Sequence, residues 1–273
     1  MLPTPSHKTR KEGAPHLQGY RLEMRKGGPP AEQPGNCSTL SDTLGVPKGG
    51  DFMLEIDKKL LARTQDLARQ FDLAIAKLAD TSSIDLRIFF TMAHGYITGR
   101  IAQCVSLFES PNALMRLNDC FASEYLRAVN GQPHADWSRA FRVCRAESNA
   151  VQSGFVGLIF VGPVATEACG ACMANVHIKR DLRDALGKVK DVDPQDYGNM
   201  LILVSEGNLY AETQLRDRVL GSAAFLIGQL FVTQLNLNVK QWRNDVYMSA
   251  YGKTVPDPTP AFAAAYRTMT RRS

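Results

Sequence analysis

A histidine and a carboxylate stand four residues apart in the stretch CGACMANVHIKRDLRDAL, which runs from Cys169 to Leu186 in a helical pattern. Residues at that spacing on a helix share a face, with Cβ atoms about 5–6 Å apart. Asp181 is therefore placed to orient the His177 ring, to hold its tautomer, or to join it as a metal ligand. Ile178, Leu182, Ala185 and Val189 form the adjacent apolar row, which sets the polar pair at the edge of a buried seam. Two other groups qualify as partners. Asp119 interrupts the apolar row Met115, Ala122, Leu126 and Val129, and a carboxylate buried there needs a partner or its pKa rises. His94 lies on the core stripe of Phe90, Ile97, Ile101, Cys104 and Phe108, where a histidine is a hydrogen-bonded core residue or else a ligand or base.

Three chemistries suit this set. In an enzyme acting on a small, largely apolar molecule, His177 is the catalytic acid or base and Asp181 or Asp119 steadies the imidazolium, as in a catalytic triad. Tyr125 would then donate a hydrogen bond to the substrate. No serine or cysteine stands out as a nucleophile, which favours hydrolysis by activated water, isomerisation or elimination. In a metal site, His177, Asp181 and Asp119 converge with His94 or Glu147, although the doubled Glu-x-x-His signature of di-iron bundles is missing. In a non-catalytic ligand- or partner-binding protein, the same groups form a satisfied buried network that fixes helix register.

The elements that must position these residues read as helices. Leu60, Leu67, Phe71, Ala74 and Leu78 mark an amphipathic helix over 52–79, and the stripe through His94 marks a second over 84–108. Ser110-Pro111 opens a third helix that stops at Asn130-Gly131. A short helix carries Trp137, Ala140, Phe141 and Cys144, and the glycine-punctuated run from Gly154 to Gly162 reads as a buried helix broken at Pro163. After the His177 helix, at about 166–189, Asp193-Pro194 starts another that continues, or kinks at Gly221, through an uncharged run toward Tyr251. With no hairpin, P-loop, dinucleotide-binding or nucleophile-elbow pattern, the expectation is an all-α, single-domain multi-helix bundle of seven or eight helices over residues 51–252. Residues 1–50, rich in Gly and Pro, read as a disordered tail or an upstream extension before Met53, and residues 253–273 as a basic C-terminal tail around a short helical segment.

Composition narrows the partners. The formal charge of +5 is carried by the two ends, each with a net +3, which leaves −1 for residues 51–252 and argues against nucleic acid as a partner. Uncharged runs at 148–166 and 219–239 reach membrane-spanning length, but glycines and Pro163 interrupt the first, and Gln229, Gln234, Asn236 and Asn238 the second. Buried core helices are the better reading, with peripheral membrane contact as the minor one. The six cysteines, with no secretory h-region in residues 1–30, read as free thiols in a reducing, cytoplasmic compartment. Cys169-x-x-Cys172 lacks the second pair that a zinc site needs.

These motifs resemble a bacterial family called domain of unknown function 5995. Its F-x-x-x-Y-x-x-V-T helix is matched by Phe90, His94, Ile97 and Thr98, and its L-D-x-x-F-A-x-x-Y helix by Asn118, Asp119, Phe121, Ala122 and Tyr125. Trp137 corresponds to a tryptophan after the proline loop, and Asn175 to Leu182 are similar to the central N-A-H-I-N-x-D-L motif. Asp196 and Tyr197, with Asn199 or Asn208, are similar to a later D-F-x-x-x-N pattern. Lys179 replaces the motif's second asparagine and His94 the tyrosine of the first helix. The resemblance implies a helical fold and one polar centre of Asp119, His177 and Asp181, with His94, Tyr125, Trp137 and Asn175 as the substrate-binding set. It brings no reaction with it.

Overall fold

A computed structural model describes residues 56–79, 85–153, 168–215 and 225–271, and among these it contains eight helices and no strand. The helices are α1 (Lys58–Ala79), α2 (Arg87–Gln103), α3 (Pro111–Val129), α4 (Ala135–Ser153), α5 (168–188), α6 (Pro194–Leu215), α7 (Phe225–Tyr251) and α8 (Pro260–Thr270). The all-α expectation holds. The tail read over residues 1–50, the Gly154–Gly162 helix and the Gly221 kink lie outside the described residues.

Helix α2 is the axis of the fold, packed between α1 and α6. Ile88, Phe89, Phe90, Thr91, Met92, Ala93, His94, Ile97, Thr98 and Ile101 are all buried, so every face of this helix is covered, as for a helix apolar all round. The single stripe inferred from spacing understated this. Each polar group on it consequently needs an internal partner, and Thr91 returns its hydroxyl to the Arg87 carbonyl at 2.8 Å.

Local chemistry sets the helix ends. Asp57 accepts from the backbone N–H of Lys59 at 2.8 Å and so caps α1, later than the expected start at Phe52. Asp193 does the same for α6, accepting from Gln195 and Asp196 at 2.7 and 2.9 Å, with Pro194 in the first turn. Ser110 stands at the start of α3, yet its side chain makes no capping bond. Instead, the buried Asp196 carboxylate reaches across from α6 to accept from the backbone N–H groups of Glu109 and Ser110, at 2.9 and 2.5 Å. Burial pushes this carboxyl up to about 6 against those two bonds.

The C-terminal segment is part of the fold, which corrects its reading as a tail. Thr259 caps α8 by accepting from Phe262 N–H, Phe262 packs on Phe108, and the fully buried Tyr266 donates to Glu206 at 2.5 Å. At Gly198 the Pro256 carbonyl oxygen comes within 2.2 Å of where a Cβ would stand, so the approach of this segment to α6 requires glycine. No helix among the described residues is long and apolar enough to cross a membrane.

Candidate functional site

His177 and Asp181 meet as their spacing predicts, in a local geometry that spacing does not reveal. Residues His177–Leu182 form a π-helical turn inside α5, a form seen mostly as single-turn insertions and often at functional sites. Asp181 is 2% exposed. Its Oδ2 lies 3.3 Å from His177 Nδ1 and accepts from Trp137 Nε1 at 2.8 Å, and its Oδ1 accepts from Arg180 Nη1 at 2.8 Å. A carboxylate only accepts, so it keeps the proton of the imidazole on Nδ1 and leaves Nε2 with a free lone pair. That Nε2 is buried and without a hydrogen-bond partner.

His94 stands against His177 edge to face, their ring centroids 4.6 Å apart. Phe71, Phe90 and Phe121 enclose it at centroid distances of 5.0, 5.8 and 5.1 Å. Its Nε2 is likewise buried without a partner. Burial, with the positive charge of Arg243 adding to it, holds its pKa well below 6.5, so the ring is neutral. Protonation of His94 is thus resisted in the fold and free in the unfolded chain. The stability that comes from keeping it neutral is complete above about pH 6.5 and declines as pH falls below that value. In urea unfolding at pH 7 and pH 5.5, His94→Phe is expected to lose less stability than the wild type on acidification, by up to about 1.4 kcal/mol per pH unit.

Both histidines face a cavity of about 50 Å³ between α2, α5, α6 and α7. Phe89, Ala93 and Ile97 of α2 form one wall and Met200 and Val204 of α6 another, with Leu235 and Val239 of α7 closing it. Asn208 and Arg243 complete the polar part of the lining. This space admits a few waters or a ligand of a few non-hydrogen atoms, and is far below a drug-sized pocket.

The other residues expected at the site are distributed differently. Asp119 does not join it, which corrects the three-residue centre. Its carboxylate is about one-third exposed, paired with Arg63 of α1 at 2.9 Å and accepting from Ser123 at 3.1 Å. The residue of that pair that turns inward is Asn118, fully buried, with its Oδ1 accepting from Thr98 at 3.3 Å. Tyr125 is completely buried and its hydroxyl shares a hydrogen bond of 2.6 Å with Thr91. Burial raises its pKa far above that of a free phenol. Its ring backs Phe90 and Trp137 and does not line the cavity. Trp137 is 1% exposed and serves through its N–H on Asp181, while Asn175 is half-buried and away from the lining. Only His94 of the expected substrate-binding set lines the cavity, together with His177.

The metal set does not assemble, since Asp119 is elsewhere and both Asp181 oxygens are occupied. Among the described residues no three of His, Cys, Asp and Glu gather as metal ligands. The expectation of free thiols is corrected too. Cys144 of α4 and Cys169 of α5 are joined by a disulfide, their Cα atoms 4.8 Å apart, which takes Cys169 out of any Cys-x-x-Cys site. The reducing compartment, inferred from free thiols, loses that support.

Comparison with family models, curated proteins and solved structures found no match.

Arg243 is not singled out by the sequence reading, although a signal exists. Leu235, Val239, Arg243 and Val246 are spaced four, four and three apart, so Arg243 interrupts the apolar stripe of α7 as Asp119 interrupts that of α3.

Proposed function

We propose that the cavity is an acid–base active site for a small, largely apolar molecule. His177 Nε2 is the proton-transfer atom, and Asp181, held in turn by Trp137 and Arg180, is its positioning residue. The observation that carries this reading is the His177 Nε2 lone pair: buried, without a partner, on the wall of a cavity, with the opposite ring nitrogen fixed by a carboxylate. Buried polar atoms are almost always paired, so one that is not calls for an explanation, a catalytic role among them. The reaction class is hydrolysis, isomerisation or elimination through a proton moved at Nε2. The motif around Asn175–Leu182 is consistent with membership of the helical family it resembles, which adds no reaction.

A structural role is the competing reading, and it draws on Asp181, whose three donors would lock α4 to α5 whether or not chemistry occurs. His177→Gln separates the two. Proton NMR in D2O with methyl acetate, acetone and pyruvate reads both ester hydrolysis and deuterium uptake beside a carbonyl. The catalytic reading expects wild-type turnover to fall about 10²–10⁴-fold in His177→Gln, with the melting temperature shifted by only a few degrees. A folded variant with wild-type rates, or no rate above buffer in either protein, counts against it.

A further inference from the structure

We propose that Arg243 makes this cavity a receptor for a short-chain monocarboxylate, with the carboxylate on the guanidinium and the two- to four-carbon body against the apolar walls. The proposal rests on the reading of the cavity as a ligand site and names the class of molecule it takes.

Arg243 is 4% exposed, and a guanidinium remains charged at any pH a protein meets. Its guanidinium lies over the Tyr197 ring at 4.3 Å and beside the Met200 sulfur at 4.0 Å, its Nε has no hydrogen-bond partner, and no carboxylate pairs with it among the described residues. Other arginines here behave differently: Arg63 reaches Asp119, Arg87 reaches Asp85, and Arg180 reaches Asp181. A cation taken out of water without a counter-ion is strongly unfavourable, and the cavity it lines contains no acidic side chain. The missing charge therefore fits the ligand.

The form of the site selects among anions. A guanidinium presents a planar fork that matches a carboxylate in two parallel hydrogen bonds. Among the described residues Arg243 is the one Lys or Arg that lines the cavity and His94 is held neutral by burial, so a dianionic phosphate would bring an uncompensated charge. Phe89, Ile97, Val204, Leu235 and Val239 give the remainder of the ligand an apolar surround, and about 50 Å³ limits it to a short chain. Carboxylate on Arg243 would place the body of the molecule in reach of the His177 wall of the same cavity.

Isothermal titration calorimetry with propionate and with its neutral isostere propionamide tests the assignment on the intact chain. Propionate is expected to bind the wild type, with propionamide weaker by about 30-fold or more, the penalty for leaving a buried charge unpaired. Arg243→Met, which keeps the stem and removes the charge, is expected to lose propionate to the same extent. Its melting temperature should stay level or rise because an unpaired buried cation has gone. Arg243→Lys, which keeps the charge, covers the case in which the methionine variant does not fold, and is expected to retain weakened propionate binding. Equal binding of acid and amide, preference for inorganic phosphate, no binding of propionate, or full propionate affinity in Arg243→Met overturns the proposal. Propionate binding that persists in His177→Gln while turnover is unaffected leaves the anion site standing and removes the acid–base reading alone.

Discussion

Asp181→Ala is expected to destabilise the fold by about 3–5 kcal/mol, read by urea unfolding at pH 7, because it removes the acceptor from a buried charged network. Trp137 Nε1 and His177 Nδ1 lose the oxygen they share, and both residues are at most 4% exposed. Each buried donor left without a partner costs about 1–3 kcal/mol. Arg180 suffers less, since it is partly exposed and already lies 3.8 Å from Asp136. Against a total stability of about 5–15 kcal/mol for an ordinary domain, the loss is large. Asp181→Asn is expected to cost less, about 1–2 kcal/mol, since one carbonyl oxygen still accepts from one donor while another goes unserved. A loss below about 1 kcal/mol in the alanine variant would show that water replaces the carboxylate and that Trp137, Arg180 and His177 are not one unit. The indole, imidazole and guanidinium come from α4 and α5, so the same experiment measures how firmly α4 is fixed to the turn that carries His177.

The legible part of this site was the part encoded by spacing within one helix. His177 and Asp181 meet because four residues span one turn, and that remains true although the turn is π-helical. Capping chemistry at Asp193-Pro194 was readable for the same reason, being local. What spacing could not supply was the identity of the neighbouring helix. Asp119 fell on an apolar row and was expected inward, but α1 brings Arg63 to that edge of α3, and a partner at the surface is enough to turn a carboxylate outward. Asn118, one residue earlier, holds the inward position. The disulfide was hidden similarly: Cys144 and Cys169 are 25 residues apart and meet only because α4 and α5 pack. Arg243 was missed because a basic residue between Trp242 and Asn244 reads as a solvated position until the period of α7 is followed through it.

Gly207→Ala is expected to cost about 1–2 kcal/mol and to alter the cavity as well, because it acts at a close approach of α2 and α6. A Cβ built at Gly207 stands 2.8 Å from the Ala93 carbonyl oxygen and 2.8 Å from Ile97 Cγ1. The side chain of Ile97 could rotate, but the carbonyl belongs to the backbone of α2 and is fixed by its helix. Relief therefore requires the helices to separate, and overpacking of this kind in a rigid core costs about 1–3 kcal/mol, which outweighs the gain of under about 1 kcal/mol in helix propensity from replacing glycine by alanine. Ala93 and Ile97 also line the cavity on the α2 side, while Val204 and Asn208, neighbours of Gly207 on α6, line it on the other. Moving the two helices apart thus widens the space in which propionate is expected to sit and loosens its apolar contacts. Unfolding measurements and propionate titration on the same variant should move together, with stability and affinity both reduced. A variant as stable as the wild type would show that α2 and α6 can slide without strain, and the tight cavity between them would then not be imposed by Gly207.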